Sequence, residues 1–204
     1  MIIRFMQRHL TRLFAKTFDK VTGIEHLPAS GSFLLAMNHV DFLDGFILNA
    51  ALTTRARALP LHYITKTHNY WWLPGITFPL AKKPGVIVPA AARKLARGAV
   101  VVNFPEGERN TTDTLKPGKW GTARLALLTG VPIVPMGIIG PGAPSLRQSL
   151  MLYFWRGLQM DIHIGKPIVV KKIEHPTNAQ ITELTATMMK AIARLAEKHP
   201  PVLR

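Results

Sequence analysis

The stretch AVVVNFPEG, residues 99–107, joins three consecutive valines to a turn that contains proline, glutamate and glycine. A short β-branched run bounded by turn residues is typical of a buried strand. We therefore predict a strand over residues 99–104 that ends directly at the turn. No other segment of the sequence has so clear a strand pattern.

Short apolar runs alternate with helical patterns along the rest of the chain. This alternation predicts a single-domain α/β fold with a central mixed, mostly parallel sheet flanked by helices. An N-terminal amphipathic helix is predicted in addition. Further strands are predicted over residues 32–37, 61–65, 76–80, 131–139 and 160–164. Helices are predicted over residues 44–53, 89–97 and 119–129, and after the capping-box pair Thr177 and Gln180.

The first twenty residues have the pattern of an amphipathic helix. At about 100° per residue, most of their apolar side chains fall on one side. Positive side chains recur every four residues on the other side, at Arg4, Arg8, Arg12, Lys16 and Lys20. Such a helix can lie in the headgroup plane of a membrane. We expect residues 1–20 to be a basic membrane-surface helix and residues 21–204 to be the main domain; the alternative is a surface helix packed on its own domain.

The chain has 204 residues, no cysteine and a formal net charge of +15. The lack of cysteine excludes disulfide scaffolds, thiolate zinc sites and cysteine nucleophiles. So large a positive charge predicts a polyanionic partner, either nucleic acid or an anionic membrane surface. The basic residues are not gathered into one run and form no recognition-helix pattern, so we expect a membrane partner and no nucleic acid.

No segment has the pattern of a membrane-spanning helix, because the long uncharged stretch over residues 125–146 is interrupted by prolines. No secretory signal pattern is present at the N-terminus. We expect a peripheral protein on the cytoplasmic face of the inner or plasma membrane. The cluster of Tyr70, Trp71 and Trp72 is a second candidate membrane anchor.

A candidate base follows the predicted strand over residues 32–37, in the segment NHVDFLD, residues 38–44. His39 and Asp44 are five positions apart and would not share a helical face. They can meet if His39 precedes the helix and Asp44 lies in its first turn, so that Asp44 orients the imidazole. The alternative is an ordinary loop histidine beside an aspartate N-cap.

The sequence offers no obvious covalent nucleophile, because it lacks both cysteine and a Gly-x-Ser-x-Gly elbow. If the chain transfers an acyl group, direct attack by an acceptor hydroxyl on the activated acyl group is therefore favoured over a covalent acyl-enzyme. The other histidines show no ligand spacing, so we expect no metal site. Both candidate segments follow predicted strands, which is the edge where open α/β sheets bind ligands.

Four segments together resemble the glycerolipid acyltransferases, the family of 1-acylglycerol-3-phosphate acyltransferase. NHVDFLD (38–44) resembles the family's His-x4-Asp motif, and FPEGER (104–109) resembles its Phe-Pro-Glu-Gly-x-Arg motif. VPIVP (131–135) is similar to its fourth block and IGKPI (164–168) to a downstream element. The resemblance runs in order over about residues 23–170.

This resemblance implies an acyl thioester donor, on coenzyme A or acyl carrier protein, a lysophosphatidic acid-type acceptor and no other cofactor. His39 would take the proton from the acceptor hydroxyl, and Asp44 would hold the imidazole. The substrate-binding residues implied are Asn38, Glu106, Gly107, Arg109 and Lys82.

Arg109 is suited to bind a phosphate through two parallel hydrogen bonds. Backbone N–H groups around Gly107 can add to this site. The alternatives are a surface salt bridge of Arg109 with a neighbouring glutamate, and a structural role for Glu106. Lys82 stands where the family's second block has arginine, and Lys83 would serve as well.

The chain departs from the family pattern at Asp41, Glu108 and Asn110, where the family often has serine, threonine and serine. Two added carboxylates would repel a phosphate monoester, so the acceptor could instead be a lysophospholipid with a larger headgroup, a lyso-aminolipid or a glycolipid. A non-catalytic lipid- or nucleic-acid-binding module is the alternative from a different class.

Overall fold

The computed structural model describes residues 18–56, 59, 61–65, 76–79, 84–143, 145–156 and 159–201. The strands in these ranges are β1 (Phe18–Thr22), β2 (Phe33–Met37), β3 (Leu61–Thr65), β4 (Ile76–Pro79), β5 (Val100–Asn103), β6 (Ile133–Ile139) and β7 (Met160–Ile164). The helices are α1 (Asp44–Arg55), α2 (Pro84–Leu95), α3 (Gly121–Thr129), α4 (Leu146–Arg156) and α5 (Asn178–Leu195), with a 3₁₀ turn at Ile24–His26.

The strands form one sheet in the order β1-β7-β6-β2-β5-β3-β4. β2 lies in the middle and pairs in parallel with β5 and β6. Among the described strands, β6 and β7 are the one antiparallel pair. The predicted mixed, mostly parallel sheet is thereby confirmed. Because β2 and β5 are neighbours and run in the same direction, the segments that follow them meet at one edge of the sheet.

Helices cover both faces of this sheet and bury two apolar clusters. The first cluster contains Phe33, Leu35 and Met37 of β2 together with much of α1, and α4 packs against it. The second contains Leu34 and Ala36 of β2 with side chains of α2, α3 and α5. Successive residues of β2 therefore point to opposite faces, as a fully buried strand requires.

The predicted start of α2 is wrong. Pro89 was expected in the first turn, but the helix begins at Pro84 and contains Pro89 in its interior. An interior proline costs a helix roughly 3 kcal/mol. Burial of Ile87, Ala91 and Leu95, which lie four residues apart on one face, opposes this cost.

Two other regions differ from the sequence prediction. Residues 18–20, predicted as the end of the N-terminal helix, belong to β1, because Lys20–Thr22 pairs with β7 and this tertiary pairing overrides the helical pattern.

Helix α4 was not predicted. Its apolar side chains lie on both faces, with Met151 48% exposed while Leu150 packs on the first cluster, so no periodic signal marks it.

The rest of the predicted helix over residues 1–20 lies outside the described residues, as do the aromatic cluster Tyr70 to Trp72 and the candidate ligands Lys82 and Lys83. Within the described ranges, no helix is both long and apolar enough to cross a bilayer.

The predicted capping box at the start of α5 is confirmed: the Thr177 hydroxyl accepts a hydrogen bond from the Gln180 backbone, and the Gln180 side chain bonds back to the Thr177 N–H. We expect Thr177→Ala to lower the free energy of unfolding by about 1 kcal/mol, because a helix N–H loses its partner. Urea denaturation measures the change. Thr187→Ala, an exposed site within the same helix, is the control and should be neutral or slightly stabilising; equal losses in both variants would contradict the capping role.

Candidate active site

The predicted contact between His39 and Asp44 is present. The Nδ1 atom of His39 lies 2.7 Å from Oδ2 of Asp44. β2 ends two residues before His39, and α1 begins at Asp44, so the chain turns back between them. The Asp44 side chain is fully buried, whereas the His39 side chain is 18% exposed. A buried carboxylate thus holds an imidazole that is itself partly exposed.

The hydrogen bonds around Asp44 define which imidazole nitrogen carries the proton. Oδ2 also accepts the backbone N–H groups of Val40, at 2.8 Å, and Asp41, at 3.0 Å. Because Oδ2 accepts hydrogen bonds from these two backbone groups, we assign it the acceptor role in its contact with Nδ1 of His39 as well. A neutral His39 therefore donates from Nδ1 and keeps the lone pair of Nε2, which is the arrangement of a general base.

Phe104 joins the second candidate segment to the imidazole. Ala36 of β2 is in register with Asn103 of β5, so the residues after both strands lie side by side. The ring of Phe104 stacks on the ring of His39, with centroids 4.1 Å apart and an interplanar angle of 25°. In the sequence, Phe104 is identified only as part of a motif. Its stacking on His39 could not be predicted, because contacts between rings far apart in the chain leave no local pattern.

Glu106 cross-links the two segments instead of facing a ligand. One carboxylate oxygen accepts the backbone N–H of His39 at 3.3 Å. The other accepts the Asn110 side chain at 2.6 Å and the backbone N–H of Lys116 at 2.9 Å. The Asn110 backbone N–H donates in turn to the carbonyl of His39 at 2.6 Å. Of the two roles considered for Glu106, these contacts favour the structural one.

Gly107 lies in the left-handed region, with φ of 74°, and its N–H closes the turn onto the Phe104 carbonyl at 2.9 Å. The side chain of Lys119 lies directly against it, so a Cβ at this position would overlap the end of that side chain. The positive φ favours glycine at this position, and the absence of a side chain leaves room for the end of the Lys119 side chain.

Arg109 immediately precedes Asn110, whose backbone is hydrogen-bonded to His39. Its guanidinium carbon lies 5.1 Å from the centre of the Phe42 ring. Its Nε is buried and has no hydrogen-bond partner among the described residues. Glu108, one candidate salt-bridge partner, forms an ion pair with Lys116 at 2.9 Å. A buried guanidinium N–H without a partner is a donor that an anionic ligand can satisfy.

Asp41 does not present its carboxylate to this site. It is fully buried, and its two oxygens accept the backbone N–H groups of Leu43, at 2.8 Å, and Ala143, at 2.9 Å. Burial raises the pKa of Asp41 above its ordinary value of 3.8, and the charge of Asp44 raises it further. Asp41 thus joins the turn before α1 to the loop before α4 with its two carboxylate oxygens.

Asn38 has a structural role of the same kind. Its amide nitrogen donates to the carbonyl of Ile138 at 2.9 Å, and its amide oxygen accepts the Ile138 N–H at 2.8 Å. The side chain thereby continues the pairing of β2 with β6 past the end of β2. It fixes the point at which the chain leaves the sheet towards His39.

Comparison with known protein families gives two matches. The model of the family described as "Acyltransferase" matches residues 19–139, and the model described as "Diacylglycerol acyltransferase" matches residues 146–202. The first match contains both candidate segments and the hydrogen bonds that join them.

Individual relatives agree with the first match. The human 1-acyl-sn-glycerol-3-phosphate acyltransferase alpha is 31% identical over 147 residues, which cover 66% of this chain and 50% of the human protein. The chain thus spans about half the length of that relative. The Bacillus subtilis 1-acyl-sn-glycerol-3-phosphate acyltransferase is 29% identical over 88% of both chains. A solved 1-acyl-sn-glycerophosphate acyltransferase from Thermotoga maritima has the same fold, with a TM-score of 0.61 at 17% identity over 96% of this chain and 79% of that one.

The raised pKa of Asp41 has a consequence for stability. An acid whose pKa rises on folding binds more protons when folded than when unfolded, so stability falls as pH rises from about 3.8 towards the raised pKa. We expect the difference in free energy of unfolding, wild type minus Asp41→Asn, to decrease across this window and then level off. Denaturant titrations at a series of pH values measure it. Asp113→Asn, at an exposed aspartate, controls for the loss of one charge; a difference that grows with pH would contradict the assignment.

Proposed function

Because the chain belongs to the acyltransferase family of glycerolipid metabolism, we propose that it transfers a fatty acyl chain from an acyl thioester to the hydroxyl of a lysophosphatidic acid-type acceptor. The observation that carries this proposal is the 2.7 Å contact between His39 and the buried Asp44. It supports a general base that is oriented before substrate binds, which is a large part of what a positioned base contributes.

In the proposed reaction, Nε2 of His39 accepts the proton of the acceptor hydroxyl as its oxygen attacks the thioester carbonyl. A carbon–oxygen bond forms, the carbon–sulfur bond breaks, and the departing thiolate receives the proton from the imidazolium. Asp44 keeps Nδ1 hydrogen-bonded throughout and stabilises the transient positive charge on the ring. No covalent acyl-enzyme is needed, consistent with the absence of cysteine.

We propose Arg109 as the ligand for the acceptor phosphate. Its support is the buried Nε, which has no hydrogen-bond partner in the part of the chain that the structure describes, and the position of the guanidinium over Phe42. The repulsion that favoured other acceptors is weakened, because Asp41 is turned inside the protein and Glu108 is paired with Lys116. A phosphate monoester acceptor is therefore the proposal, with Glu106 and Asn38 as positioning residues.

The acyl donor is proposed as a thioester of coenzyme A or acyl carrier protein, and the place of action as an anionic membrane surface. The formal charge of +15 supports both, since donor and membrane are negatively charged. A thiol-release assay with both donors and a panel of lyso-lipids, with lysophosphatidic acid among them, tests the proposal. No release with any pair would overturn it.

His39→Ala should reduce acyl transfer by a factor of at least about 10², because a positioned base contributes about 10²–10⁴ in rate. Thiol release from the acyl donor measures the rate, and co-sedimentation with anionic liposomes should be unchanged. His175→Ala, at an exposed histidine in the loop before α5, is the matched control and should retain wild-type rate. A His39→Ala enzyme with more than about a tenth of the wild-type rate would exclude His39 as the base.

Arg109→Gln should raise KM for lysophosphatidic acid about 10- to 100-fold while changing KM for the donor little, because hydrogen bonds to charged groups contribute about 1.5–3 kcal/mol. Steady-state kinetics with each substrate varied in turn separates the two constants. Arg194→Gln, at an exposed arginine on α5, is the control. Equal losses for donor and acceptor would make Arg109 a structural residue.

A further inference from the structure

The connection between β5 and α3 contains no helix or strand, yet residues within it hold the candidate site together. Asn110 donates its backbone N–H to the carbonyl of His39 and its side-chain amide to Glu106, both at 2.6 Å. Further along, the backbone N–H of Lys116 donates to the same glutamate at 2.9 Å. Residues 110–116, called the 110–116 loop below, are thus bonded to the site at both ends.

The segment after α5 returns to the middle of this loop. The backbone N–H of His199 donates to the carbonyl of Asp113 at 2.8 Å, and the carbonyl of His199 accepts the N–H of Leu115 at 3.0 Å. These two bonds form a parallel bridge between Thr114 and His199. The 110–116 loop is therefore paired, at its middle, with a part of the chain that is distant in sequence.

Lys198 adds a charged contact beside this bridge. Its ammonium donates to the backbone carbonyl of Asn110 at 3.4 Å and to the backbone carbonyl of Thr112. An ammonium has three N–H donors, and a charged donor forms stronger hydrogen bonds than a neutral one. The backbone of Asn110 is thus held on both sides, by His39 at its N–H and by Lys198 at its carbonyl.

This contact bears on both residues that the proposed reaction requires. Asn110 is hydrogen-bonded to the backbone of His39 and covalently joined to Arg109. A displacement of its backbone therefore moves the proposed base and the proposed phosphate ligand together. Small displacements of this kind have large effects on rate, because the reacting groups have to meet in a narrow range of geometries.

The backbone immediately before Lys198 has an unfavourable conformation. Glu197 has a φ of 53° and is, in the ranges that the structure describes, the one residue other than glycine with a positive φ. Helices commonly end in this conformation, but usually with glycine, because a Cβ disfavours it. The N–H of Lys198 closes the turn by donating to the carbonyl of Ala193 at 2.9 Å. Such a conformation persists where surrounding contacts determine it, and here it directs the chain from α5 to the 110–116 loop.

We infer that Lys198 is a positioning residue for the proposed acyl transfer. It acts through the backbone of Asn110, which connects it to His39 on one side and to Arg109 on the other. The inference rests on the proposed function and adds to it a residue that lies 88 positions from Asn110 in the sequence.

Lys198→Met tests this role, because methionine keeps an unbranched side chain but has no donor. We expect kcat for transfer to lysophosphatidic acid to fall about 10- to 100-fold, and KM for the acyl donor to change less than about threefold. Lys198→Arg returns a charged donor and should recover most of the lost rate. Thr177→Ala weakens the other end of α5 and is the matched control for lost stability; it should retain the wild-type kcat.

A second measurement does not depend on turnover. Hydrogen exchange of the Asn110 backbone amide, followed by NMR without substrate, reports its hydrogen bond to the His39 carbonyl. We expect exchange to be about tenfold or more faster in Lys198→Met than in the wild type, with a smaller change in Thr177→Ala. If Lys198→Met does not fold, Lys198→Gln replaces it in both measurements, with effects in the same direction.

Three results would overturn the inference. One is a wild-type kcat in the folded variant that lacks the ammonium, and another is an equal loss of kcat in Thr177→Ala, which would make Lys198 important for stability alone. The third is a reduced kcat with unchanged exchange at Asn110, because the effect would then reach the site by another path. Faster exchange at Asn110 in Lys198→Met, combined with a wild-type protein that transfers no acyl group, would retain the link from Lys198 to Asn110 and refute the proposed function.

Discussion

One oxygen atom, Oδ2 of Asp44, fixes the break between β2 and α1 on which the candidate site depends. It accepts hydrogen bonds from the ring of His39 and from the backbone of Val40 and Asp41, and it is buried where water cannot replace them. Hydrogen bonds to a charged acceptor contribute about 1.5–3 kcal/mol each, so the turn has few alternative conformations of similar energy. The orientation of the imidazole follows from the backbone path that this carboxylate imposes.

The second segment is tied to the first by hydrogen bonds that a substrate does not need to form. Glu106 connects the backbone of His39 to Asn110 and Lys116, and Phe104 covers one face of the imidazole. The histidine is therefore held from its ring, its backbone and one of its faces before substrate arrives. Such preorganisation lets binding energy act on the reaction instead of on ordering the protein. The Nε of Arg109 takes no part in these contacts and has no hydrogen-bond partner among the described residues.

The sequence predicted the His39–Asp44 contact because strand and helix patterns meet between them and both residues are close along the chain. The strands of the sheet could be predicted for a similar reason, because apolar runs such as residues 99–104 have a strand pattern of their own. Asn38 was expected to bind substrate, and Glu106 was given both a binding and a structural role. Their contacts with Ile138 and Lys116 could not be predicted, because these partners are brought close only by tertiary folding. Helix α4 could not be predicted, because its apolar residues lie on both faces and leave no helical period in the sequence.

The catalytic role proposed for His39 requires that the neutral ring carry its proton on Nδ1, towards Asp44, and present a free lone pair at Nε2. Nitrogen-15 NMR of the imidazole side chains reports this directly, because a protonated ring nitrogen and one with a free lone pair resonate in well-separated regions. With the His39 signals assigned by comparison with His39→Gln, we expect a protonated Nδ1 and an unprotonated Nε2 in the neutral ring. A neutral His39 with its proton on Nε2 would contradict it, because that nitrogen could not then accept the proton of an acceptor hydroxyl.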